Sequence, residues 1–421
     1  LWLSLSRRLS PLAFAGGVAV PDQLFWRLES RRGQGIRSRR SEALGALAPV
    51  SARLCSGVDW ADFRQREFPS SGEWVYLDHA LRGPIPLSVQ RASQVALLEA
   101  SGGRRARGAQ TSRLSSLRTR LLSLVGWSEA EGGVCLTANT TTALGLLAAS
   151  LPWNSGDRVL LHEDEVASNR RAWEAAAAAH ELQLVVLPSR DGRLELNDLA
   201  AACREPVSWA SFAAVSLVTG DVRPLAQIRA LVAEAGGRLC VDAAQGAGCV
   251  RLGAADAIAG SGRKWLCGPP EVGFLLMRHS ASQDLRPFTG GACSGPGVQV
   301  LEGGVPPLLP AIGLEASLEL LSGLGWAEIE GDLRERGEEV RRAGLEAGWK
   351  LAFDLPSARS GAIVHFQLPP GSPADLEDQL EARGVIARVA KEQRTLRVSP
   401  HAWTTSAEIE SFIERTRDLC R

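Results

Sequence analysis

The sequence predicts an α/β protein, with a large domain on a mostly parallel sheet followed by a smaller α+β domain. Three observations carry this. Residues 182–203 and 212–245 alternate strand, loop and helix, then strand again, the pattern of parallel βαβ units. The apolar run Leu239-Cys240-Val241 ends in Asp242. That places a carboxylate at the carboxyl edge of the sheet, where open α/β folds take their ligands. The 421 residues are also enough for two domains with cores of their own.

Residues 1–56 stand apart from the rest. They hold Arg7, Arg8, Arg27, Arg31, Arg32, Arg37, Arg39 and Arg40, many serines and few acids. The bias is that of an organelle transit peptide, which implies a mitochondrial or plastid destination. A disordered extension or an artefact of the gene's boundaries reads equally well, and the location expected is then the cytoplasm. The chain opens on Leu1 and its one methionine is Met277, so an initiator is expected upstream. Residues 57–86 read as an N-terminal arm, with WVYLDHALRGPIP extended until Gly83 and Pro84 end it. His79 within it reads as a hydrogen-bonded structural histidine.

The large domain is expected over residues 87–305. Apolar residues recur at helical spacing over 87–125, predicting one helix. Its arginine-rich stretch, Arg104 to Arg120, reads as a solvated face, or alternatively as the lining of an access channel for an anionic substrate. The segment GVCLTANTTTALGLLAASL is a short strand running through Asn139-Thr140-Thr141-Thr142 into a helix. Free N–H groups and hydroxyls at a helix N-terminus form a ready phosphate site, although threonine is also an ordinary cap. No GxxxxGK occurs, so a nucleoside triphosphate is not implied. Residues 157–181 repeat strand, loop and helix, and GPPEVGFLLMR gives a turn and another buried strand. The smaller domain is expected over residues 306–421. It opens on the amphipathic helix AIGLEASLELLSGLG and continues through strands and covering helices.

The chemistry concentrates between Gly237 and Gly268. Only three lysines occur in the chain: Lys264, Lys350 and Lys391. Arginine supplies nearly all the positive charge, so a lysine retained in Ser261-Gly262-Arg263-Lys264-Trp265 points to a nucleophilic amine. A guanidinium stays protonated and cannot take that role. Pyridoxal phosphate needs a lysine for its aldehyde and a carboxylate to keep its ring nitrogen protonated. Asp242 and Lys264 supply that pair, against the plainer reading of a turn-capping aspartate and a surface lysine. Lys plus Arg equals Asp plus Glu, at 47 each, so nothing points to nucleic acid as a partner. No apolar run approaches the ~18 residues of a membrane span. The eight cysteines form no CxxC pair and no zinc spacing, and no metal site is expected.

VDAAQGAG and SGRKWLCGPPEVGFLLMR resemble the class V aminotransferase family of pyridoxal-phosphate enzymes, which includes cysteine desulfurases, C–S lyases and an epimerase branch. The resemblance covers about residues 72–419. It implies an aspartate-aminotransferase-like fold, with a seven-stranded-type sheet in the cofactor domain, a homodimer and an amino-acid substrate. By resemblance, Thr140, Thr141 and Ser261 would hold the phosphate, with Arg263 in place of the usual histidine. Asp242 would meet the ring nitrogen and Gln245 the ring hydroxyl, while Lys264 would hold the aldehyde and later take the α-proton. Thr289 would reach the partner's phosphate. Arg397, in LRVSPHAWTTSAEIESF, would bind the substrate's α-carboxylate, with Arg359 as a second candidate.

Two positions depart from the family pattern. Val166 stands where relatives offer His or Tyr over the ring, and Leu217 where they often have Asn. These departures also admit a non-catalytic relative. The desulfurase branch carries a cysteine nucleophile on a loop shortly before the carboxylate arginine. This chain has no cysteine between Cys293 and Cys420, so a persulfide mechanism is not expected. The RKW and RVSPH wording looks most like hercynylcysteine sulfoxide lyase, which implies β-elimination. Transamination and epimerisation are the alternatives.

Overall fold

The computed structural model describes residues 58–69, 74–287 and 295–418, without the side chains of 105–107. The leader 1–56 and Thr289 lie outside the described residues. In chain order the elements are α1 (Trp60–Glu67), β1 (Val75–Tyr76), α2 (Leu87–Glu99), α3 (Arg104–Leu124), β2 (Gly132–Thr137), α4 (Thr140–Ser150), β3 (Arg158–His162), α5 (Ala167–His180), β4 (Gln183–Leu187), α6 (Leu196–Ala202), β5 (Trp209–Ala213), α7 (Leu225–Glu234), β6 (Arg238–Asp242), β7 (Ala257–Ser261) and β8 (Gly273–Arg278). There follow α8 (Leu308–Leu324), α9 (Trp326–Glu346), β9 (Val364–Gln367), α10 (Leu376–Ala382), β10 (Val385–Ile386), β11 (Arg388–Ala390), β12 (Thr395–Val398) and α11 (Ser406–Thr416).

Seven strands form one sheet in the order β2-β8-β7-β6-β5-β3-β4. All neighbours run parallel except at β8, which is antiparallel to both β2 and β7. The mostly parallel sheet is therefore as expected. The connection 262–272, which carries Lys264, returns the chain as β8 beside the strand it left, because no crossover helix intervenes. Alternate residues feed two cores. Leu239 and Val241 of β6 join one cluster and Cys240 the other, and β8 splits Phe274 and Leu276 from Leu275 and Met277 in the same way. Both faces are covered by helices, as a parallel sheet requires.

The helix expected over 87–125 is two helices. Ser101-Gly102-Gly103 separates α2 from α3, since paired glycines inside a helix cost about 1 kcal/mol each relative to alanine. Within the arginine run, Arg104 is exposed, while three later arginines are paired with acids. Arg113 and Arg120 pair with Glu315 of α8, and Arg118 pairs with Glu302.

A second, three-stranded antiparallel sheet has the order β11-β12-β9. It packs with Val340, Trp349 and Phe412 into a third cluster. Val75 and Leu77 of the N-terminal arm belong to that cluster too. The arm pairs parallel to the C-terminal region, Val75 with Val385 and Tyr76 with Ile386. Thr405 and Glu408 form a reciprocal capping box that starts α11. No single described helix is long and apolar enough to cross a membrane.

Candidate active site

The carboxyl ends of β5, β6 and β7 deliver Ala213, Asp242 and Ser261 to one edge of the sheet. There they line a pocket of about 190 Å³ with Asn139, Thr140, Thr141, Val166, Gln245, Arg263 and Lys264. The family-derived candidates from three separate stretches of chain thus converge.

The pocket's phosphate end is built from α4. Asn139 caps the helix, its Oδ1 accepting from the Thr142 N–H at 2.9 Å. That leaves the first-turn N–H groups of Thr140 and Thr141 to another acceptor. Gly273 makes the close approach possible, because a Cβ there would lie 2.7 Å from the Asn139 Cα and from the Gly260 carbonyl oxygen. The hydroxyls of Thr140 and Ser261 are buried and find no partner in the protein. At the centre, Asp242 accepts through Oδ1 from the Ala244 N–H at 2.8 Å, while its Oδ2 is buried without a partner.

Native interiors rarely strand buried polar atoms. Here three such oxygens line one pocket with a helix N-terminus. The residues present therefore fit the phosphate and protonated ring nitrogen of pyridoxal phosphate. Electrostatics agree. Burial pushes the Asp242 carboxyl up to about 6, with Glu165 adding to the shift and Lys264 and Arg223 opposing it. Burial also pulls the Lys264 ammonium down to about 8, and Arg263 and Arg397 pull the same way against Asp242 and Asp78. Lys264 is partly exposed, but to the pocket, where the protein encloses it. Two charged groups held at such a cost mark a site shaped for a ligand.

The lysine segment is strapped down by the N-terminal arm. Gly83 donates its N–H to the Arg263 carbonyl at 2.8 Å, and Arg263 Nη1 donates to the Leu81 carbonyl at 3.2 Å. Gln245 spends its amide on the same tie, donating from Nε2 to the Ala80 carbonyl at 2.9 Å and accepting from Trp265 Nε1 at 2.8 Å. One Nε2 hydrogen is then left for a ring hydroxyl. A Cβ on Gly83 would lie 2.3 Å from the Lys264 carbonyl oxygen and 2.6 Å from Cys267 Sγ. Gly83→Ala is expected to cost about 1–3 kcal/mol through overpacking, and to lower turnover by shifting Lys264. Thermal unfolding and product release check the two parts.

The structure does not bring every candidate to the pocket. Arg359 is committed elsewhere. Its Nε donates to Asp221 Oδ1 at 2.8 Å and its Nη2 to Oδ2 at 2.5 Å. This two-pronged pair holds residues 357–360 against the loop after β5, and it corrects the expectation that Arg359 faces a substrate. Arg397 is not among the residues that line the pocket and is paired with Asp78. His79 is buried, with Nδ1 on the Ser399 carbonyl at 3.1 Å, as the structural reading expected.

Other features were not anticipated. Asp164 and Ser168 also line the pocket. Beneath it lies a buried polar cluster in which Arg223 bonds Glu165, and Arg223 Nη2 lies 3.1 Å from His162 Nδ1. Asn169 donates to Glu165 at 2.7 Å, as does the Ala213 N–H at 3.1 Å. Burial and then Arg223 pull the His162 imidazole down to about 3, so it is neutral. The Leu217 carbonyl, rather than a polar side chain, receives a bond here, from His365 Nε2 at 3.1 Å.

The sequence profile of the family described as aminotransferase class-V matches residues 75–412. The chain is 30% identical over 331 residues to the isopenicillin N epimerase of Streptomyces clavuligerus, covering 70% of this chain and 82% of that protein. It is 29% identical over 346 residues to the probable hercynylcysteine sulfoxide lyase of Mycobacterium tuberculosis, covering 78% and 85%. The apo structure of a cysteine desulfurase from Thermococcus onnurineus NA1 superposes with a TM-score of 0.79 at 22% identity, over 86% of this chain and 98% of that one.

Proposed function

The chain belongs to the class-V aminotransferase family, and on that premise we propose that it is a pyridoxal-phosphate C–S lyase cleaving a cysteine S-conjugate or sulfoxide by β-elimination. The observation that carries the cofactor assignment is the convergence of Lys264, Asp242 and three unpartnered buried oxygens on one pocket. When bound, the cofactor supplies an electron sink for negative charge developing at the substrate's α-carbon.

The chain's own residues divide the remaining work. The first turn of α4 and the Thr140 and Ser261 hydroxyls bind the phosphate. Asp242 Oδ2 would accept a hydrogen bond from the ring N–H and so keep that nitrogen protonated. Lys264 Nζ, with a pKa near 8, moves the α-proton, because a base works best when its pKa lies near the operating pH. Val166, which lines the pocket, would offer an aliphatic surface to a ring face and exclude water there.

Elimination is favoured over desulfuration by the cysteines. Among the described residues none lines the pocket. Cys135, Cys240 and Cys267 are buried, and burial raises each thiol's pKa. A low pKa and access are what a nucleophilic thiol needs. The segment before Arg397, where a desulfurase would carry its cysteine, is instead α10, β10 and the hairpin of β11 and β12.

The test is incubation of purified protein with a cysteine S-conjugate and its sulfoxide. Pyruvate and ammonia in equal amounts are expected. Amino transfer to a keto acid, or loss of substrate chirality without pyruvate, would replace the lyase reading with an aminotransferase or an epimerase. A homodimer is part of the same proposal. Val95, Leu97 and Leu98 of α2 stand 43%, 60% and 77% exposed, an apolar strip that a second copy would cover.

A further inference from the structure

Arg397 and Asp78 form a buried ion pair. Arg397 lies on β12 and is 6% exposed, and Asp78 follows β1 and is 5% exposed. Their contact is single, from Arg397 Nη2 to Asp78 Oδ1 at 2.9 Å. The Arg397 Nε is buried and without a partner. Asp78 is itself fixed by backbone, bridging Ser399 while His79 N–H donates to the Ser399 carbonyl at 3.3 Å.

One cross-strand neighbour of Arg397 is fully engaged. His365, its cross-strand partner, spends Nδ1 on Thr395 Oγ1 at 2.8 Å and Nε2 on the Leu217 carbonyl at 3.1 Å. Leu217 lines the pocket. Arg397 and Asp78 both act electrostatically on Lys264.

A long arginine side chain has many rotamers, and ordering it is costly. A guanidinium is a rigid fork that matches a carboxylate only when it is correctly turned. Asp78 takes one prong by one oxygen and leaves Nε unspent. We propose that Asp78 is a positioning residue. It turns the Arg397 guanidinium so that its unspent donors meet the substrate's α-carboxylate, and its own negative charge tempers that binding so that product can leave. This rests on the reading of the chain as an amino-acid enzyme in which Arg397 takes the carboxylate.

The role separates into a hydrogen bond, which orients, and a charge, which competes. Asp78→Asn keeps an oxygen acceptor in place and removes the charge. Asp78→Ala removes both. Using the holoenzyme and a cysteine S-conjugate sulfoxide, Asp78→Ala is expected to raise KM by about ten-fold or more, the worth of one charge-assisted hydrogen bond, with kcat held within three-fold. Asp78→Asn is expected to leave KM within three-fold of the parent or to lower it. Spectroscopic titration gives a second readout. The decarboxylated amine counterpart should bind all three proteins alike, since it has no group for Arg397.

Equal rises in KM for both variants would overturn the proposal, as would a fall in kcat at unchanged KM or equal weakening of the amine. If Asp78→Ala does not fold, Asp78→Asn decides alone: weakening beyond three-fold overturns the inference. Arg397→Ala tests the underlying reading separately. If it leaves carboxylate affinity unchanged, the assignment of Arg397 fails, whatever Asp78 does.

Discussion

Lys264→Met is expected to abolish turnover and, in cofactor-free protein near neutral pH, to make the fold more stable. The first effect follows from the role of Nζ. Removing a positioned proton-transfer group costs about 10²–10⁴-fold in rate, and on the proposed reading this amine also holds the cofactor. The second follows from burial. Lys264 titrates near 8 in the folded protein against an ordinary value of 10.5. Below pH 8 it is protonated in both folded and unfolded states, so the cost of its buried charge is fully present. Between about 8 and 10.5 the folded protein has lost the proton that the unfolded chain still holds, and stability rises with pH. Methionine fills similar volume without charge. The variant should therefore gain on the order of 2–3 kcal/mol at pH 7, with the advantage vanishing as pH approaches the lysine's ordinary range. Urea unfolding of both proteins between pH 7 and 10 measures this. A variant less stable than the parent at pH 7 would contradict it.

Arg223→Met is expected to cost about 3–5 kcal/mol, the price of breaking a buried ion pair from one side. Arg223 and Glu165 side chains are both 0% exposed. Glu165 would keep Asn169 and the Ala213 N–H but lose its counter-charge. The loss should reach Asp242 as well, because Arg223 favours its ionised form and Glu165 opposes it. Glu165→Gln in the same chain should restore most of the stability, since glutamine can still accept and no charge is stranded. A double-mutant cycle by urea unfolding reads the coupling. Simple additivity of the two single costs would show that the pair is not coupled.

Much of the site was legible because its signals are local. A buried strand ending in Asp242, a rare lysine at Lys264 and a threonine-rich helix start each fit within a few residues. Asp242 and Lys264 are then brought together by sheet order. What was not legible depends on partners far away in the chain. The charged run His162 to Glu165 reads as a polar loop, and only the fold shows Glu165 buried against Arg223, 58 positions on. Arg397 gave no sign of being paired with Asp78, 319 positions earlier. Arg359 resembled a ligand-binding arginine because nothing nearby could show that Asp221 would take both its prongs. The break at Ser101-Gly102-Gly103 was visible as residues, but apolar spacing on both sides outweighed it.

The pairing of Val75 with Val385 has a further consequence for how the enzyme comes into being. The chain leaves the ribosome from its N-terminal side, so the strap that holds the lysine segment is made early and its own anchor almost last. The seven strands of the main sheet are complete once Arg278 has emerged. The arm, however, has no strand to join until β10, and Asp78 has no cation until Arg397 is made. Contacts spanning this much sequence close slowly. Throughout that interval the arm that ties down the lysine segment has no strand partner of its own. Catalytic competence is therefore expected late in the making of each molecule, and a chain that ends before β10 is expected to be inactive.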